Sequence, residues 1–285
     1  MKVGVTAMLT DETIGPSEFA IAVEERGFHS LYLPEHTHLP VGAGSPPSVV
    51  TGVREADYRR VMDPFVALAA AATVTRRILI GTGVTLVAQH DPIAMAKQVA
   101  TLDVISAGRF VLGIGFGWNR VEVADHGVAF GDRRAVVRER MLCMQSLWSD
   151  EKAEFHGDHV ELPPSWAWPK PVQQPRVRTL VGAAPGPSTF AAIAEYADGW
   201  MPIGGAGIRA ALPVLRQAFE SRGRDPDGVE VVAFGTVPDS AKLEHLAAAG
   251  CTEVALRVPA GESSQMLDCL DEYVSYLDQG LAADG

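Results

Sequence analysis

Residues 34–40, "PEHTHLP", end an apolar run and set an acid beside two histidines: Glu35, His36 and His38. Three chemistries fit. His-x-His is a metal-ligand pattern, but a metal needs further ligands from other strand ends, and "VGAAPG" and "MPIGG" later in the chain supply none. A histidine here could act as a general acid or base, because it changes charge near neutral pH. It could also simply cap a loop.

A second stretch, "RFVLGIGFGWN" at residues 109–119, runs an apolar strand into Gly113, Gly115 and Gly117. The dinucleotide fingerprint G-x-G-x-x-G fails here, since its third glycine falls on Trp118 or Arg120. What remains is a glycine-rich turn that could present backbone N–H groups to an anion. Glycines recur at Gly81 and Gly83, at Gly182, and at Gly204 and Gly205. Bare backbone on one rim beside a single histidine suits a flat, phosphate-bearing cofactor that carries the hard chemistry. For the strand-three pair, Gly81 and Gly83, the plainer reading is a barrel strand relieving a packing clash.

Elements that could position these groups alternate along the chain. Strand patterns cover 2–9, 30–34, 78–87, the 109–119 stretch, 179–183, 198–203, 229–236 and 253–258. Helical patterns follow each one. Pro16 opens the first and Gly27 stops it, while Asp63-Pro64 and Asp91-Pro92 read as cap and first-turn pairs. Val137, Met141, Met144 and Trp148 mark a long helix over 132–148, and Leu267, Leu270, Val274 and Leu277 mark the last one. The near-continuous apolar strands fit a parallel sheet covered by helices. Eight such units in 285 residues predict an α/β fold of the (β/α)8 TIM-barrel type, as one domain over 1–285, with a doubly wound open sheet as the alternative.

In such a barrel the strand-to-helix segments form the active face. Residues 35–62 therefore fall on that face, and their Asp57, Tyr58, Arg59 and Arg60 read as a substrate lid or as an ordinary solvated loop. Residues 149–176 fall on the far face, so "PSWAWPKP" reads as packing and "FHGDHV", with His156 and His159, as a hairpin turn.

The bulk numbers bound the partners. Net charge is −11, which argues against nucleic acid or an anionic membrane. Cys143, Cys251 and Cys269 make neither a disulfide framework nor a zinc motif and fit a reducing cytoplasm. Acid at Asp11 comes too early for a signal peptide, and no apolar run reaches bilayer length.

Taken in order, "YLPEHTH", "GTGV", "RFVLGIGFGWN", "WPKPVQ" and "AEYADGWMPIGG" resemble the luciferase-like oxidoreductase superfamily, most closely its branch that uses the deazaflavin coenzyme F420. The resemblance covers essentially the whole chain. It implies a (β/α)8 barrel with the cofactor ring over the rim and a non-prolyl cis peptide at Gly83–Val84. It places the cofactor phosphate near Gly115, Phe116, Gly117, Trp118 and Asn119; the glycine-rich strand ends themselves point to Gly182, Gly204 and Gly205 as further cofactor contacts on the rim. His36 falls on the family's active-site histidine, and Glu35 where relatives carry an acid against the ring. Trp118 stands where some sugar-phosphate dehydrogenases of the group carry a catalytic acid, a departure from that activity. The implied reaction is hydride transfer between C5 of the reduced deazaflavin and a small organic substrate. The alternatives are an FMN-dependent monooxygenase using oxygen and a non-catalytic cofactor-binding protein. A homodimer is usual in the family.

Overall fold

The structure, a computed structural model, describes residues 1–41 and 54–277. In chain order, β1 (Lys2–Ala7), α1 (Pro16–Glu25) and β2 (Ser30–Leu33) lead to α2 (Glu55–Arg60) and α3 (Pro64–Val74). Next come β3 (Leu79–Thr82), β4 (Thr85–Leu86), α4 (Pro92–Ile105), β5 (Phe110–Gly115), α5 (Arg120–Asp125) and α6 (Arg133–Ser149). A hairpin of β6 (Ala153–His156) and β7 (Glu161–Ser165) precedes β8 (Thr179–Gly182), α7 (Pro187–Tyr196), β9 (Gly199–Trp200) and α8 (Ile208–Glu220). The chain continues through β10 (Glu230–Thr236), α9 (Ser240–Ala248), β11 (Glu253–Val258) and α10 (Ser263–Val274).

The parallel strands close a (β/α)8 barrel. β1 pairs with β2 and β11, β3 with β2 and β5, and the ladder continues through β8, β9 and β10. The predicted strand at 78–87 is interrupted by a cis Gly83–Val84 peptide and becomes β3 and β4. The predicted 198–203 strand shortens to β9, because Pro202 has no N–H for the ladder; Ile203 then rejoins Phe234 through an isolated bridge. The first strand stops at Ala7 rather than 9.

Local signals explain the helix starts. Asp63 accepts from Val66 N at 2.9 Å and Asp91 from Ala94 N at 2.8 Å, each followed by a first-turn proline. Gly27 sits at φ +84° just past α1, a backbone state that favours glycine. Two apolar layers form. One lies between strands and helices; the other fills the barrel interior with Tyr32, Val111, Leu180, Met201, Val232 and Ala255. Burying each of the Val, Leu and Met side chains among them contributes about 1.5–3 kcal/mol.

Below that interior layer, at the strand starts, sits a charged plug. Arg178 pairs with Glu230 and lies 3.7 Å from Glu253, which Ser30 also hydrogen-bonds. Burial pushes the Glu253 carboxyl up, and Ser30 and the Arg178 charge work against it. Such a plug closes the far face and leaves the opposite mouth for ligands.

The two long insertions fall on the faces expected. Gln173 donates to Phe110 O at the start of β5, placing the 149–176 segment on the far face. "FHGDHV" is the hairpin turn, with His156 hydrogen-bonded to Glu161. "PSWAWPKP" differs from expectation. Trp166 and Trp168 are 76% and 61% exposed, because the segment lies along the outer side of α4, where Lys97 donates to Trp168 O, rather than inside it. No described helix is long and apolar enough to cross a membrane.

Candidate active site

A cavity of about 270 Å³ opens at the C-terminal mouth of the barrel. Its walls are largely apolar: Met8, Tyr58, Trp118, Met201, Ile203, Phe234 and Val258 contribute, with Lys242 and Arg257 on the β10–β11 side. Of the residues singled out from sequence, Glu35, His36, Gly83, Val84, Trp118, Gly182 and Gly204 line it. Gly115, Phe116, Gly117, Asn119 and Gly205 are not in its wall. From the 35–62 segment, Asp57 and Tyr58 reach the cavity on α2, while Arg59 and Arg60 are exposed; its residues 42–53 lie outside those described.

His36 leaves the end of β2 and is buried between two rings. Tyr58 meets it edge to face at 5.0 Å between centroids, and Trp118 at 6.1 Å. Its Nδ1 lies 3.1 Å and 3.2 Å from the two carboxylate oxygens of Glu122. Glu122 escaped the sequence reading. Asn119 caps α5, its Oδ1 accepting from Val121 N at 3.1 Å and Glu122 N at 3.3 Å. The cap puts Glu122 in the first helical turn, 1% exposed, facing His36. The pattern "N-x-x-E" after the glycines was the available signal.

Glu35 is buried and already engaged. Oε2 accepts from Leu86 N at 2.6 Å, and Oε1 is 2.8 Å from His90 Nε2. Burial pulls His90 down, but the hydrogen bond and charge of Glu35 outweigh it and hold the imidazole above its ordinary pKa. Glu35 thus ties the loop after β2 to the segment following the Gly83–Val84 cis peptide.

His38 and Thr37 make a second, exposed tie to α5. His38 Nε2 lies 3.1 Å from Asp125, and Thr37 Oγ1 lies 2.9 Å from His126 Nε2. Among the described residues, no cluster of three or more His, Cys, Asp and Glu is placed to hold a metal ion.

Several rim glycines serve packing. A Cβ on Gly115 or on Gly182 would stand 2.6 Å from a methyl of Val84, so both make room for that side chain. A Cβ on Gly83 would run into the Phe234 ring. Gly204 and Gly235 differ: both line the cavity, and nothing lies within 4 Å of where their Cβ would stand. Beyond Trp118, at the 115–119 turn, Gly117 has φ +77°. Arg134 lies over Phe116 at 4.1 Å, and Arg133 and Arg120 lie over Phe130 at 3.7 Å and 4.4 Å. No ion pair to any of the three occurs among the described residues. Burial, with Arg134 and Arg120 nearby, pushes the Arg133 guanidinium below its ordinary pKa.

The chain is similar to several known proteins. An uncharacterized protein of Mycobacterium tuberculosis (strain ATCC 25618 / H37Rv) is 42% identical over 263 residues, covering 91% of this chain and 92% of that one. An F420-dependent glucose-6-phosphate dehydrogenase of Kineococcus radiotolerans is 30% identical over 220 residues, covering 73% of this chain and 59% of that one. Among solved structures, monooxygenase RslO1 from Streptomyces bottropensis superposes with TM-score 0.79 at 20% identity, over 99% of this chain and 100% of that one. An F420-dependent secondary alcohol dehydrogenase superposes with TM-score 0.73 at 18% identity, over 98% and 99% of the two chains. Both structures share the fold. The family model described as luciferase-like monooxygenase matches residues 16–254, the span that builds most of the barrel and its mouth. On that match and this architecture, the chain belongs to the luciferase-like monooxygenase family.

Proposed function

We propose that this protein is an oxidoreductase that transfers a hydride between coenzyme F420 and a small, mainly apolar substrate bearing a hydroxyl or carbonyl oxygen. The observation that carries the reading is the cavity itself: one buried histidine faces a largely apolar space floored by open backbone at Gly204 and Gly235. A flat ring needs that kind of unobstructed surface, and a site with so few reactive side chains suits a cofactor that brings the chemistry. The relative named for F420 supports the choice of cofactor.

Gly204, Gly235 and Val84 would bear on the cofactor ring. The Arg120, Arg133 and Arg134 cluster beside the 115–119 turn suits its anionic part, since those charges lack carboxylate partners among the described residues. When bound, the deazaflavin supplies the carbon that gives or takes the hydride. His36 gives or takes the proton at the substrate oxygen. Burial pushes the Tyr58 hydroxyl up to about 12, so it stays protonated and serves as a hydrogen-bond donor. Met8, Met201, Phe234 and Val258 exclude water from that exchange and accept an apolar substrate body.

The test is consumption of reduced F420 with a panel of aldehydes and ketones, run with and without oxygen. Carbonyl-dependent, oxygen-independent consumption is expected. Turnover that requires FMN and oxygen would replace this reading with the monooxygenase one, and binding without any turnover would favour a cofactor carrier. With a substrate in hand, His36→Ala should cut turnover at least about a hundredfold while F420 affinity stays within about threefold.

A further inference from the structure

We propose that Glu122 is the positioning residue for His36, fixing the imidazole as the Nδ1–H tautomer so that Nε2 is the atom that handles the substrate proton. The inference rests on the reading of His36 as the acid or base. Both Glu122 oxygens converge on one nitrogen, at 3.1 Å and 3.2 Å from Nδ1, and no other hydrogen bond to this carboxylate is present among the described residues. The two side chains are nearly sealed, at 7% and 1% exposure, so water does not replace either partner.

The local fold explains why a carboxylate stands there. Asn119 caps α5 and so sets Glu122 at the third helical position, facing His36. An ionised carboxylate only accepts hydrogen bonds, so the nitrogen facing it must carry the proton. The ring cannot swing away, because Tyr58 and Trp118 pack edge-on against it. Nε2 is left without the proton and is the ring nitrogen available for proton exchange. A substrate O–H gives its proton to Nε2, forming an imidazolium whose charge Glu122 offsets. In the reverse direction the Nε2–H proton returns to the substrate oxygen, and the imidazolium reverts to the neutral Nδ1–H form. Glu122 itself keeps its charge throughout.

Two remote segments are joined by this pair, 86 residues apart in sequence. Trp118 stands where the resemblance implies a catalytic acid, and the acid of this site arises four residues later, directed at the histidine instead of at the substrate.

The experiment is long-range ¹⁵N–¹H correlation of the full-length labelled protein, with His36→Gln identifying the His36 signals. In its neutral form, wild-type His36 is expected as the Nδ1–H tautomer. In Glu122→Gln the amide can donate as well as accept, so a substantial Nε2–H population should emerge. Glu122→Asp should keep more of the Nδ1–H form than Glu122→Gln does. Turnover of Glu122→Gln should fall at least about tenfold, with F420 affinity within about threefold of wild type. An Nε2–H tautomer in the wild type overturns the proposal, as does an unchanged tautomer in a folded Glu122→Gln. If Glu122→Gln does not fold, the wild-type tautomer alone decides. Failure of F420 to bind would reject the hydride-transfer reading while leaving the tautomer result standing, so the two failures are separable.

Discussion

Glu35 Oε1 stands 2.8 Å from His90 Nε2, and the same carboxylate accepts from Leu86 N. This pair fastens the loop after β2 to β4 and the segment leading into α4. Because the folded state holds His90 above its ordinary pKa, the pair contributes stability that is fully present below the unfolded value, about 6.5. That contribution is lost as pH rises through the raised folded value. Denaturation of wild type and His90→Gln across pH should therefore show a stability gap widest in acid and narrowing with alkali. A gap that stays constant with pH would mean that His90 acts by packing against Phe65 alone.

Much of the barrel was legible because its signals are local. Asp63-Pro64 and Asp91-Pro92 announce α3 and α4, and the apolar runs at 30–33 and 110–115 need no partner to be recognised as buried strands. Position on the rim followed from strand-to-helix order, so His36 and Trp118 could be placed at the mouth. What escaped depends on distant pairing. Glu122 reads as an ordinary first-turn acid until β2 delivers His36 to it, and Glu35 meets His90 across 55 residues. Gly115 and Gly182 read as ligand approach, whereas Val84 claims the space beside them. A side chain seated among several strands leaves no trace in any one of them.

The edge-on contact of Tyr58 with His36 separates ring from hydroxyl. Tyr58→Phe keeps the ring and removes only the donor. Turnover should fall about tenfold, near 1.4 kcal/mol, with F420 affinity unchanged. With its pKa pushed up to about 12, Tyr58 should add no limb to a pH–rate profile near neutrality. Full activity in Tyr58→Phe would leave the residue as packing for His36.

Arg178 tests the far-face plug. Its removal would strand the buried Glu253, with Glu230 beside it. Arg178→Ala should cost about 3–5 kcal/mol in urea unfolding and leave the F420 affinity of the folded protein unchanged. A loss under about 1 kcal/mol would show that Ser30 suffices for Glu253.

His38 is a contrast to His36. Its ion pair with Asp125 is 40% and 51% exposed on the two sides, so solvent screens it. His38→Ala should change stability by less than about 1 kcal/mol and turnover by less than about threefold. A large loss of turnover would move proton handling from His36 toward the Thr37–His126 side of the loop.

Gly117 at φ +77°, with a Cβ position 2.9 Å from Val123, is a poor place to test the anion site, since any side chain there strains the turn itself. Arg134 is better, because its guanidinium stacks on Phe116 and is not ion-paired among the described residues. Arg134→Gln should weaken F420 binding about tenfold, an effect that shrinks with added salt. Unchanged affinity would move the cofactor's anionic part toward Lys242 and Arg257 on the opposite wall.

The central claim is that the open backbone at Gly204 and Gly235 receives a deazaflavin. The most direct measurement is a fluorescence titration of the full-length protein with F420, FMN and a nicotinamide dinucleotide side by side. Saturable F420 binding at least about tenfold tighter than FMN, with no nicotinamide binding, is the predicted result. Tighter binding of FMN, or no binding of F420, would contradict it.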